Sequence, residues 1–142
     1  MIVRWLLAGL GTFVLAGCGT LVSTCDDPGG GIRLFGKNVV QQKLDIGIRE
    51  YQEGKYLTSM EAFKSVLETN VADKSEKITA YKYLAFIQCI SSQEVLCRDY
   101  FSKVLELDPN FELTSAETGH PIWGPVFRSV KSAGSKSNAT TK

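Results

Sequence analysis

Between Val39 and Leu107 the apolar residues recur every three or four positions in four successive runs, and in none of them do they alternate. That period gives each run one apolar helical stripe and leaves no strand bounded by tight hairpin turns. In VVQQKLDIGIREYQEG the positions Val40, Leu44, Ile48 and Tyr51 share a face, and Gly54 supplies a stop. YLTSMEAFKSVLET follows, with Leu57, Met60, Phe63, Val66 and Leu67 in its stripe and Thr58 or Ser59 placed to cap its start. KITAYKYLAFIQCISS is the third run, and EVLCRDYFSKVLEL the fourth, halted by Asp108-Pro109. The expected class is all-α, built from short antiparallel helix pairs.

The two pairs echo one another. Gly47 and Ala85 lie 38 residues apart, as do Phe63 and Phe101. The second pair carries Tyr81, Leu84 and Ala85, then Cys97 and Phe101, then Pro109 in VLELDPNFEL. This order resembles the tetratricopeptide repeat, a helix–turn–helix unit with a usual period of about 34 residues. Cys97 stands where a small alanine lets the two helices approach. The first pair aligns through Ile46-Gly47, Gly54, Tyr56 and Phe63, but has Lys43 for the opening aromatic and Val71 for the closing proline. The surplus length falls in the polar connection NVADKSEK, where a longer loop costs little. The resemblance implies two such repeats in a short α-solenoid. Because about three stacked units are usually needed for a stable array, NFELTSAETGHPIWGPVFRSVK is expected to supply a C-terminal capping helix. Thr114 and Glu117 have capping-box spacing, and Pro121 or Pro125 can open a helix bearing Val126, Phe127 and Val130. Phe111, Leu113, Ile122 and Trp123 would pack back on the second repeat.

The N-terminus has a different character. Arg4 precedes an apolar run, Trp5–Ala16, of secretory-signal length and too short to span a bilayer comfortably. It ends in Leu15-Ala16-Gly17-Cys18, which resembles the lipobox of bacterial lipoproteins. The resemblance implies a signal peptide over 1–17, removed before Cys18, and acylation of the Cys18 thiol and amino group. The plain alternative is a secretory signal with a chance cysteine. Gly19 stands where inner-membrane retention usually places Asp, so the implied location is the outer membrane, lipid-anchored and facing the periplasm. Residues 18–38, rich in glycine and without period, read as the lipidated cysteine and a flexible tether. Residues 39–131 read as the helical domain, and 132–142 as a small, polar, disordered tail. The chain carries 16 Lys and Arg against 15 Asp and Glu, and loss of Arg4 with the leader brings the balance to zero. Such a balance offers nothing to nucleic acid.

No constellation for catalysis stands out. His120 is the only histidine and sits in His-Pro at an expected turn, where a capping role suits it. DPGGGIRLFGKN lacks the preceding strand and lysine spacing of a phosphate loop, and Asp26-Asp27 lie in the tether. The reading is a non-enzyme without cofactor, metal or small-molecule substrate. Cys89 and Cys97 flank the turn of the second pair on facing helices, with a spacing that allows a disulfide. The other reading has Cys97 fill a tight packing site and Cys89 half buried; Cys25 is then left over.

In the tetratricopeptide arrangement the first helix of each pair lines a concave groove. Leu44, Ile48, Tyr51, Phe86 and Ile90 fall at its lining positions and make it more apolar than a solvated face. Either a partner's helix or extended peptide lies there, or the chain's own C-terminal segment fills it, led by Trp123 and Phe127. The whole layout is similar to small repeat lipoproteins of envelope machines, among them pilotins and the TssQ-like lipoproteins associated with type VI secretion systems. It implies a protein–protein interaction module that holds a periplasmic or envelope protein as scaffold or assembly factor. The alternative is an accessory subunit that positions a peptidoglycan-active enzyme.

Overall fold

Among the described residues four helices form where the apolar period places them, and two more follow. The computed structural model describes residues 30–139, with side chains from 36 to 134. In order these are α1 (Gly30–Gln52), α2 (Tyr56–Leu67), α3 (Lys74–Ile90), α4 (Glu94–Leu107), α5 (Ser115–Thr118) and α6 (Trp123–Ala139). No strand occurs among the described residues. The fold is an all-α short solenoid: α1 pairs with α2, α3 with α4, and α3 rests on both helices of the first pair. α6 rests on α3 and α4 in the same way, and so takes the place of a third repeat's first helix. Signal peptide, Cys18 and Cys25 lie outside the described residues.

Both turns are built alike. The Lys55 N–H donates to the Glu50 carbonyl at 2.8 Å and, 38 residues on, the Gln93 N–H to the Gln88 carbonyl at 2.9 Å. This six-to-one closure needs a left-handed residue inside it. Gly54 fills that place with φ 75°, and Ser92 fills its equivalent with φ 60°. A Cβ makes that conformation costly, so Ser92→Gly is expected to raise stability by about 0.5–1 kcal/mol, measured by urea denaturation.

Helix approach within the first pair depends on Gly47. A Cβ there would lie 2.7 Å from the Phe63 ring, and the buried Ser59 hydroxyl donates to the Gly47 carbonyl at 2.7 Å. Ser59 is therefore a cross-helix tie and not the cap of α2, whose N-cap is Lys55 without a side-chain bond. Thr58 is no cap either. Gly47→Ala is expected to cost about 1–2 kcal/mol, because overpacking against Phe63 outweighs the gain in helix propensity. A lower denaturant midpoint at unchanged slope would register it.

α3 is the central element. Its Ala80, Leu84 and Ile87 join Val40, Leu44, Phe63 and Val66 in one cluster. Its Ala85, Phe86 and Cys89 join Cys97, Phe101, Leu113, Trp123 and Phe127 in the other. A helix apolar on both sides must be sandwiched. The rings form a continuous series across the two clusters: Phe63 stacks on Tyr83 at 5.1 Å, Tyr83 meets Phe86 at 5.8 Å, Phe86 meets Phe101 at 6.1 Å, and Phe101 meets Phe127 at 5.2 Å.

Two boundaries differ from the sequence reading. Residues 30–38, read as tether, begin α1. Tertiary contacts recruit them: Lys37 pairs with Asp73 and Glu76, and Gly36 lies so close to Val71 that a Cβ would sit 3.0 Å from its methyl. Asp73 and Glu76 themselves form the capping box that starts α3, which fixes where Lys37 finds its partners. At the other end α6 continues to Ala139, through residues 132–139 that read as disordered tail. No proline interrupts that stretch, and the Ser132 hydroxyl donates back to the Ser129 carbonyl at 2.9 Å.

Candidate binding surface on the concave face

The proposed groove residues do not form one open trough. Leu44 is 4% exposed and belongs to the first core cluster. Phe86 is 2% exposed and lies beneath the Trp123 indole, ring centroids 4.4 Å apart and planes 22° from parallel. Both are core residues, a correction to their reading as exposed lining. Ile48, Tyr51 and Ile90 are half-buried and packed against the two clusters. Lining positions and core positions coincide on α3 because the C-terminal segment folds over it. Phe127 does not enter the groove; it packs on Phe101 of α4.

The segment that covers Phe86 is tied at Glu117. As its spacing suggested, Thr114 caps α5: its hydroxyl accepts the Glu117 N–H, and the Glu117 carboxylate accepts the Thr114 N–H at 3.0 Å. The other carboxylate oxygen takes the Lys82 ammonium of α3 at 2.6 Å. The Trp123 indole N–H donates to the Glu117 backbone carbonyl at 2.9 Å. Neither Pro121 nor Pro125 opens α6, which starts at Trp123; Pro125 sits in its first turn, where no N–H is needed. Lys82 also stands 5.0 Å over the Tyr83 ring and 5.7 Å over that of Phe86.

This arrangement sets the titration of its members. Burial pushes the Tyr51 phenol up to about 12, with help from Tyr56, Tyr83 and Glu117, and burial with Glu117 raises that of Tyr83. Both phenols are therefore neutral donors at physiological pH. Burial opposes the Glu117 charge, yet the Lys82 hydrogen bond and the Thr114 N–H hold its carboxyl below the usual carboxylate range. A carboxyl depressed in the folded chain stabilises above its unfolded pKa, and that stability is lost as pH falls through the folded one. Glu117→Gln is expected to flatten the loss of stability as pH falls below about 5, followed by urea midpoints at each pH.

The other singled-out residues have local roles. His120 stacks on Trp123 with planes 1° apart, and its Nδ1 accepts the Ile122 N–H at 3.3 Å, which places it in the turn before α6. Cys89 and Cys97 form a disulfide with Cα atoms 5.1 Å apart. Among the described residues no three His, Cys, Asp or Glu side chains gather as a metal site, and no helix is long and apolar enough to cross a membrane. A groove of about 690 Å³ between α4 and α6 has Arg98 at its rim, already bonded to Glu94 at 2.9 Å and Ser129 at 3.2 Å.

One feature escaped the sequence reading. Leu57, assigned to the buried stripe of α2, is 74% exposed, and Val95 on α4 is 81% exposed. The two are 38 residues apart and so occupy the same place in the two repeats, in the first turn of each second helix. Leu96 beside Val95 is exposed as well. The repeat offset applied to Leu57 would have exposed the pattern. Comparison of the chain with protein-family models, with curated proteins and with solved structures finds no match in any of the three.

Proposed function

We propose that this protein is a lipid-anchored, periplasm-facing adaptor of the tetratricopeptide-repeat type, which holds another envelope protein as scaffold or assembly factor of a complex such as a type VI secretion system. The observation that carries the reading is the apolar pair Leu57 and Val95, exposed at equivalent places of two stacked repeats. An apolar edge repeated with the architecture is what a protein partner spanning both units would use. The titratable pair Lys82 and Glu117 serves an ion pair and a helix cap, which suits binding better than turnover.

Cys18 lies 12 residues ahead of Gly30, and an extended stretch of that length spans up to about 40 Å. Acyl chains on Cys18, each buried methylene adding about 0.8 kcal/mol, would hold the domain at the membrane while α1 to α6 stand off it. Photo-crosslinking in the native cell tests the adaptor reading, with the crosslinker in place of Leu57 or Val95 and exposed Lys64 as control. A discrete heavier band from the first two positions alone, containing an envelope-machine component, is expected. A peptidoglycan-active enzyme in that band would favour the accessory-subunit alternative. No band at either position, with the protein folded and membrane-bound, would contradict the adaptor reading.

A further inference from the structure

We infer that Leu113 to Trp123 is a built-in stand-in for the ligand of the second repeat. The stretch of groove it covers takes, in its place, a peptide carrying a carboxylate for Lys82 and, about six residues later, an aromatic ring for Phe86. This deepens the adaptor reading and rests on it. Lys82 and Phe86 are one helical turn apart on α3, and the segment engages them with Glu117 and Trp123. Most of the segment's other bonds are its own. The Thr114–Glu117 box, the indole N–H on the Glu117 carbonyl and the Thr118 hydroxyl on the Leu113 carbonyl (3.3 Å) give it shape without the domain. Besides the Leu113 side chain, what it needs from α3 is a cation and a ring face. A foreign segment that brings a carboxylate and an aromatic at matching distance satisfies the same two groups.

The carboxylate is the selective element. Lys82 is partly buried, and an occupant without an acid would leave its ammonium against two aromatic rings with no counter-charge. The segment is also the part of the fold with the least regular structure of its own, a single four-residue helix between two connections. Its exit into α6 is tight. A Cβ on Gly124 would lie 2.3 Å from the Thr118 carbonyl oxygen, so a side chain there must lift the segment away while Phe127 stays on Phe101. A site occupied from within shows a ligand only the fraction of time it is open, and lifting the segment removes that penalty.

The probe is a fluorescent synthetic peptide of residues 112–125, ELTSAETGHPIWGP, titrated into the full-length chain. Gly124→Ala is expected to bind it about tenfold more tightly than the unaltered chain. Lys82→Ala in the Gly124→Ala chain, or an alanine for the peptide's tryptophan, is expected to remove that gain. Glu117→Gln in the protein loosens the tie without a steric change and serves as second opening variant; should Gly124→Ala lose its helical circular dichroism, Glu117→Gln decides alone. The inference is overturned if neither folded variant binds more tightly than the unaltered chain, or if the gain survives Lys82→Ala. A crosslinked partner at Leu57 or Val95 beside such a failure would leave the adaptor reading standing.

Discussion

Phe86→Ala is expected to lower the stability of the domain by about 3–5 kcal/mol, the usual cost of emptying a buried phenylalanine site. Its ring touches those of Tyr51, Tyr83, Phe101 and Trp123, so the substitution breaks the aromatic series at its middle. It also leaves the Trp123 indole without the face it stacks on. A residue that merely lined an open groove would cost within about 0.5 kcal/mol when truncated, as exposed positions do. Guanidinium denaturation, compared at constant slope, separates the two outcomes widely. The consequence for function is direct: weakened partner binding by a Phe86 variant would report a loosened domain before it reported a lost contact.

Breaking the Cys89–Cys97 disulfide is expected to cost about 2–3 kcal/mol, from the chain entropy returned when so short a loop is opened in the unfolded state. For a domain of this size that lowers the melting midpoint by roughly 10 °C or more. The comparison is best made in a Cys18→Ser, Cys25→Ser chain, with and without dithiol reductant, so that only this pair responds. Cys97 is wholly buried and Cys89 nearly so, so reduction should follow unfolding and not precede it. An unchanged midpoint would mean that the pair adds packing alone. The first repeat shows what the bridge replaces. At the two equivalent positions it has Tyr51 and Ser59, and Ser59 ties the helices through the Gly47 carbonyl instead. One repeat closes its pair with a hydrogen bond, the other with a covalent one.

The helices were legible because their cause is local. Apolar spacing, Gly54, the Asp108-Pro109 stop and the Thr114–Glu117 box each act over a few residues, and the sequence displays such causes openly. The start of α1 was not, because Lys37 and Gly36 are helical for the sake of Asp73, Glu76 and Val71, far along the chain. Which residues share one helix face was legible, and their exposure was not. Positions on one helix face can be counted from a repeat pattern, but whether a later segment covers them depends on tertiary packing. Trp123 was correctly expected to pack back on the second repeat. That it would stack on Phe86, and so turn a lining residue into core, depends on Lys82 and Glu117 meeting across 35 residues. Leu57 was misplaced for a simpler reason: a stripe counted at helical spacing gives no sign of where the neighbouring helix ends.

The most direct test of the self-covered groove uses Trp123 itself, which becomes the sole tryptophan once Trp5 is replaced by phenylalanine. A covered indole, stacked between Phe86 and His120 and bonded to the Glu117 carbonyl, predicts blue-shifted emission and weak quenching by acrylamide. Emission and quenching like those of free tryptophan, in a chain with native helical circular dichroism, would contradict the closed groove and return Phe86 to the open surface.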